Sequence, residues 1–154
     1  MAEPERRVVV SNRRARHEFF ILDTFEAGIV LKGTEVKSLR QGKANLQDSY
    51  AVLTNGEVWL HNMHISPYEK GNINNHEPMR TRKLLLHGKQ IRKLIGQVRE
   101  KGLTLIPLSA YFSGPYAKIE LAIAQGKKKH DKREATARRE AEREIRQRMK
   151  RSVP

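Results

Sequence analysis

The sequence predicts a mainly β fold with accessory helices and a basic C-terminal extension, on three observations. Short runs rich in β-branched and aromatic residues recur between Val8 and Ala124, separated by Gly, Pro and Asn-Gly punctuation. One stretch, Gly88 to Lys101, carries clean helical periodicity. From Gly126 onward the composition changes abruptly to charge. Two units follow, a folded body over residues 1–125 and a tail over residues 126–154. With 154 residues, one domain plus an appendage is the expected scale.

Taken in order, residues 1–7 read as a loose arm, and Val8–Val10 as a short edge strand. The basic cluster Asn12-Arg-Arg-Ala-Arg-His17 runs into Glu18–Leu22, apolar on both faces and so expected in the middle of a sheet. Asp23–Glu26 is expected to turn the chain into a second strand, Ala27–Lys32. Thr34 is then placed to cap a short helix with Glu35 in its first turn, and Gly42 to stop it. Val36 and Leu39 give that helix a thin apolar seam, while Lys37 and Arg40 face away.

Ser49–Leu53 and Glu57–His61 form the next pair of strands. They are joined at Asn55-Gly56, the dipeptide preferred where both central residues of a hairpin turn need positive φ. Asn62–Pro78 is read as a long loop. At least two residues of Leu84-Leu-Leu86 belong in the core, and Ile91, Leu94, Ile95 and Val98 define the buried stripe of the main helix. Leu103–Phe112 and Tyr116–Ala124 are the last strands, with Pro107 expected at an edge or bulge. Ile119, Leu121 and Ile123 alternate with Lys118, Glu120 and Ala122, which predicts one buried and one wet face. About six antiparallel strands of this size are expected to close into a Greek-key, OB-like barrel, which removes exposed edges, with an open sheet capped by the second helix as the alternative.

The tail holds 12 Lys/Arg against 5 Asp/Glu, half of the formal net charge of +14. Ala137, Ala141, Ile145 and Met149 supply its only apolar stripe. Asp131 and Glu134 have the spacing of a capping box, and Glu134–Arg138, Glu142–Arg146 and Glu144–Arg148 are favourable i,i+4 pairs. The tail is therefore competent to form a helix but has too little apolar area to order itself against the body. It is expected to be disordered when free and helical on a partner.

Charge of this sign, with a pI near 10.4, points to a polyanion, and nucleic acid is the commonest in a cell. The absence of cysteine suits a reducing cytoplasm, no apolar run spans a membrane, and the N-terminus has no secretory h-region. The histidines form no metal set: His61 and His64 are three apart, which in a strand points them to opposite faces. No nucleophile–base pair and no phosphate-cradling glycine loop is present, so neither catalysis nor a cofactor is expected. Arg13, Arg14 and Arg16 supply positive charge. His17, Tyr50, Tyr68 and Tyr111 are candidate stacking planes for bases, although Tyr50 and Tyr111 read equally well as half-buried strand residues.

Four strings are long enough to be diagnostic: Asn12-Arg-Arg-Ala-Arg-His-Glu18, the run from Glu26 to Asn45, Arg80-Thr-Arg-Lys-Leu-Leu-Leu86, and Gly126-Lys-Lys-Lys-His-Asp-Lys-Arg133. Together, from about Val8 to Arg133, they closely resemble the bacterial small protein B family of SsrA-binding proteins. The resemblance implies a barrel that binds the tRNA-like domain of transfer-messenger RNA and delivers it to stalled ribosomes. There the nascent peptide is tagged for degradation. On the matching positions it implies RNA-binding roles for Asn12, Glu26 and Leu85, and by charge and neighbourhood for Arg13, Arg14, Arg16, Lys37, Arg40 and Lys83. His17 is implied at the decoding centre of the small subunit, and Lys127, Lys128, Lys129, Asp131, Lys132, Arg133, Ile145 and Met149 in the tail that senses an empty message channel. Elongation factor Tu would be met only through the shared RNA, and the protein is expected to be a monomer. A general structured-RNA binder and a small basic ribonuclease are the competing readings.

Overall fold

In the computed structural model, which describes residues 6–70, 75–99, 103–127 and 129–152, six antiparallel strands close into a ring. β1 (Arg6–Ser11) is followed by a single helical turn, α1 (Ala15–Glu18), and by β2 (Phe19–Ile29). Next come α2 (Gly33–Arg40), a short β3 (Ala44–Asn45), and the hairpin of β4 (Tyr50–Thr54) and β5 (Glu57–His61). β6 (His64–Ile65), β7 (Arg82–Leu85), α3 (Gly88–Val98), β8 (Leu103–Ser113), β9 (Tyr116–Gly126) and α4 (Lys129–Ser152) complete the chain. The ring runs β8-β4-β5-β7-β2-β9 and closes by pairing β9 along β8, while β1 lies on the free part of the other β8 edge. The expected OB-like barrel with accessory helices is therefore the architecture found.

Several boundaries differ from expectation for identifiable reasons. Asp23–Glu26 is no turn: β2 runs unbroken through it, paired to β9, and absorbs its irregularity as a bulge between Ile21 and Asp23. Phe20 and Leu22 point outward from this strand and stay about half exposed. Basic residues and an alanine ahead of β2 form α1, too short to announce itself by periodicity. Thr34 does not cap α2. The Glu35 carboxylate instead accepts the Lys32 backbone N–H at 2.8 Å, while the Thr34 hydroxyl meets His76 Nδ1 at 2.9 Å. Within residues 62–78, β6 pairs with β3, and His76 is buried with Nε2–H donating to the Ile65 carbonyl at 2.8 Å. The expected end of α3 at Lys101–Gly102 lies outside the described residues.

Other features follow the pattern. Asn55 (φ 52°) and Gly56 (φ 75°) make the hairpin turn, and Gly42 (φ 71°) ends α2 by donating its N–H to the Leu39 carbonyl at 2.9 Å. Pro107 sits at a bulge in the β8–β9 register, where its missing N–H is tolerated.

The barrel core includes Val58, Leu60, Leu84, Leu105, Ile119 and Leu121, with Leu39 from α2 and Leu94 from α3, all 2% exposed or less. Truncating any one of the buried leucines to Ala would cost about 2–5 kcal/mol. The expectation of a wet outer face on β9 fails at its C-terminal half. Ala122 and Ala124 are fully buried, in a second cluster with Ala15, Ile106 and Leu108 that Phe19 and Ile21 flank. Alanine alternating with isoleucine leaves room for α1 to lie on the outside of the sheet.

A buried charged group ties the long connection after β5 to α2. Glu35 and Arg82 are both fully buried, and Arg82 Nε donates to Glu35 Oε2. Arg80 Nη2 donates to Oε1 at 2.6 Å, while Arg82 Nη1 and Nη2 donate to the carbonyls of Met63 at 2.6 Å and Pro78 at 3.1 Å. Burial opposes the charge on Glu35. The bonds from Arg80, the Lys32 N–H and Arg82 outweigh it, leaving the carboxyl below its ordinary value.

Candidate nucleic-acid interface

On the outside of the barrel, β1, β8, β9 and β2 present a connected set of polar side chains. The Tyr111 hydroxyl donates to Glu26 Oε2 at 2.6 Å, and Lys118 Nζ lies 3.5 Å from Oε1. The Arg6 guanidinium covers the Tyr111 ring at 3.8 Å and pairs with Glu120 at 2.8 Å, which also accepts from Ser109 Oγ at 3.3 Å. The hydrogen bond from Tyr111, helped by Lys118, holds the Glu26 carboxyl below the usual range despite some desolvation. Burial and the facing Glu26 carboxylate push the Tyr111 phenol up.

This network separates two hollows. One, about 290 Å³, is lined by Glu26, Gly28, Leu85, Leu86, His87, Gln90 and Lys118. Gly28 lies opposite Leu85 in the β2–β7 register, and a Cβ on Gly28 would stand 3.3 Å from that of Leu85. The glycine thus leaves the exposed Leu85 side chain its place two residues beyond Glu26. Lys83 is two residues from Leu85 on the same side of β7 and pairs with Glu57 at 3.4 Å. The second hollow, about 320 Å³, is lined by Arg6, Asn12, Arg13, Arg16 and Glu120 among others.

Asn12 is less exposed than a direct RNA contact would suggest. Its side-chain amide donates to the carbonyls of Pro107 at 3.0 Å and Leu46 at 3.4 Å, and its backbone N–H to Leu108 at 2.8 Å. It anchors the turn that carries Arg13, Arg14 and Arg16, whose side chains are all exposed. Lys37 and Arg40 project from α2, over the rings of Tyr68 at 5.3 Å and Phe112 at 5.0 Å. Among the candidate stacking planes, Tyr111 is only 2% exposed and is no platform. Tyr50 is 41% exposed and stacks on His61 with ring centroids 5.3 Å apart.

His17 and the root of the tail come together. Lys127 N–H donates to the Glu18 carbonyl at 2.8 Å, and its ammonium to the Arg16 carbonyl at 3.1 Å while lying 5.0 Å from the Phe20 ring. Arg139 Nη2 approaches His17 Nδ1 at 3.4 Å. Lys128 lies outside the described residues. Lys129, Asp131, Lys132, Arg133, Ile145 and Met149 all fall on α4, and Ile145 is 52% exposed. Because α4 begins at Lys129, Asp131 is inside the helix and not its N-cap.

Sequence reasoning missed α1, the burial of Glu35 and Arg82, and the contact of Tyr111 with Glu26. The hint for the first pair was an arginine two residues before an apolar run. Nothing local marks the second, whose partners are 85 residues apart.

A closed barrel with a strongly basic surface and a charged terminal helix defines a small protein suited to a structured polyanion. The family model described as SmpB protein matches residues 9–151, and the chain belongs to that family. It is 64% identical over 145 residues to the SsrA-binding protein of Desulforudis audaxviator strain MP104C, covering 94% of this chain and 95% of that one. It is 58% identical over 145 residues to that of Geobacillus thermodenitrificans strain NG80-2, covering 94% of each. A chain in the solved structure described as "tmRNA-SmpB: a journey to the center of the bacterial ribosome" superposes with a TM-score of 0.67 at 53% identity. The match covers 82% of this chain and 92% of that one.

Proposed function

We propose that the protein binds the tRNA-like domain of transfer-messenger RNA and carries it to stalled ribosomes, where the nascent peptide is tagged and the ribosome released. The observation that carries this reading is the meeting of Glu26 and Leu85 in one hollow beside Lys118, from strands far apart in sequence. Near-full-length kinship with SsrA-binding proteins supports it. Glu26 accepts hydrogen bonds from base edges or ribose hydroxyls, Leu85 gives an apolar surface for an unstacked base, and Lys83, Arg13, Arg14 and Arg16 track phosphates. Lys37 and Arg40 extend the basic field. Asn12 acts by holding the arginine-bearing turn.

In the same reading, His17 and the tail from Lys127 to Met149 meet the decoding centre and the message channel. The tail is disordered in the free protein and gains its helix among ribosomal phosphates, which offset an ordering cost of about 1–2 kcal/mol per residue. The protein works as a cytoplasmic monomer without a cofactor, and elongation factor Tu joins through the RNA. A competition binding assay between transfer-messenger RNA and bulk tRNA at fixed salt tests the reading. Strong preference for the former is expected, whereas equal affinity with a steep salt slope would mark a general RNA binder. Cleavage of the RNA that is lost on replacing His17 would mark a ribonuclease.

A further inference from the structure

An exposed carboxylate on a surface built for RNA needs something to direct it, because left free it repels phosphates in every rotamer. The geometry points to Tyr111 as a positioning residue for RNA recognition: its buried phenol holds one oxygen of Glu26 so that the other faces the donors of the RNA. This rests on the proposed role of Glu26.

Tyr111 is 2% exposed, whereas the Glu26 side chain is 58% exposed. The hydroxyl therefore reaches from inside the wall to a group on its surface, at 2.6 Å from Oε2. The phenol is itself fixed. β8 carries it between β1 and β9, and Arg6 closes over its ring at 3.8 Å, held there by Glu120. Four strands thus converge on one carboxylate. Oε1 is left paired with Lys118 Nζ at 3.5 Å, on a side chain more than half exposed beside the hollow that Leu85 and Gly28 line. The other polar groups around that hollow, His87 and Gln90, come from the head of α3 and do not bond Glu26 in this structure.

RNA offers phosphate oxygens, which a carboxylate rejects, and ribose 2′-hydroxyls and base N–H groups, which it accepts. Fixing Oε2 leaves Oε1 one direction in which to accept. Glu26 then discriminates between a donor placed correctly and a phosphate placed wrongly, a matter of specificity more than of charge. Removing the phenol oxygen frees the carboxylate to rotate while changing neither the net charge nor the shape of the ring.

The test measures transfer-messenger RNA affinity for the full chain, for Tyr111→Phe, for Glu26→Gln and for the double variant, with thermal melting confirming that each is folded. Tyr111→Phe is expected to weaken binding about ten-fold, equivalent to ~1.4 kcal/mol. The slope of affinity against salt should stay unchanged, since no phosphate contact is lost. Adding Tyr111→Phe to Glu26→Gln should produce no further loss, because both act through one carboxylate. A purely structural tyrosine would instead lower affinity equally in both backgrounds. A carbon-13 titration of the Glu26 carboxyl in folded Tyr111→Phe should show its midpoint raised. Wild-type affinity in Tyr111→Phe with weakened Glu26→Gln would overturn the inference alone. Wild-type affinity in both would overturn the role of Glu26 as well.

Discussion

The barrel and the terminal helix belong to one chain but are held by opposite means. In the barrel, strands far apart in sequence bury Leu60, Leu84, Leu105 and Leu121 against one another, and even a carboxylate, Glu35, is enclosed with its guanidinium partners. In α4, every side chain described from Thr136 to Arg148 is exposed, and the tail meets the body where Arg139 approaches His17 and where Lys127 bonds the carbonyls of Glu18 and Arg16. The i,i+4 pairs that its sequence allows would contribute only about 0.2–0.5 kcal/mol each, too little to replace a core. The contrast is between a body closed around its own core and a helix whose described side chains face solvent.

The largest effect expected from a single change lies in the barrel. Glu35→Ala should destabilise it by about 3–5 kcal/mol in urea unfolding, because Arg82 would be left buried without its anion. The pH dependence follows from the same pair. Since the folded Glu35 value lies below the unfolded one of about 4.3, its contribution is complete above the unfolded value and lost as pH falls through the folded value. Acid unfolding of Glu35→Ala should therefore be less steep than that of the wild type. If Glu35→Ala melted like the parent, the barrel would not depend on this group.

A smaller effect is expected at the hairpin. Gly56→Ala places a side chain at φ 75° and should cost about 1 kcal/mol or more, read as a lower unfolding midpoint with an unchanged m-value. Smallest of all, Arg139→Ala should change global stability by less than ~0.5 kcal/mol, since the contact it removes is exposed and 3.4 Å long. A comparable loss from Arg139→Ala and Gly56→Ala would mean that the tail is part of the folded body after all. Amide exchange sharpens the same point, with slow exchange expected in β8 and β9 and fast exchange along α4 in the free protein.

Much of the barrel was legible because its signals are local. Alternation in Ile119–Ile123, the Asn55-Gly56 turn and the stripe of Leu94 and its neighbours each declare an element without reference to the rest. Glu35 was not legible as a buried ion. In a first turn beside Thr34 it has the ordinary look of a charge facing the helix dipole, and only the fold brings Arg80 and Arg82 to it. The continuity of β2 through Asp23 was hidden for a similar reason. Polar residues on the outer face of a closed barrel look like a turn until the partner strand is known. The site divided in the same way. The residues alone place at least two of Leu84-Leu-Leu86 in the core, and Leu84 and Leu86 do turn inward, but Leu85 was singled out only by the family resemblance. Tyr111 gave no sign, in a β strand of apolar residues, that its hydroxyl met Glu26.

Tail chemistry supplies the next discriminating change. Asp131–Arg133→Ala should leave transfer-messenger RNA affinity within about two-fold while abolishing peptide tagging on stalled ribosomes, because in the proposed reading the barrel grips the RNA and the tail meets the ribosome. Equal loss of both activities would contradict a division of labour between body and tail.

The most direct measurement takes a chain ending at Lys127, which keeps all of β9 and the Lys127–Glu18 backbone bond, and reads two quantities on it. Affinity for transfer-messenger RNA should be close to that of the full chain, and tagging of stalled peptides should vanish. Normal tagging by the shortened chain, or loss of its RNA binding, would contradict the account.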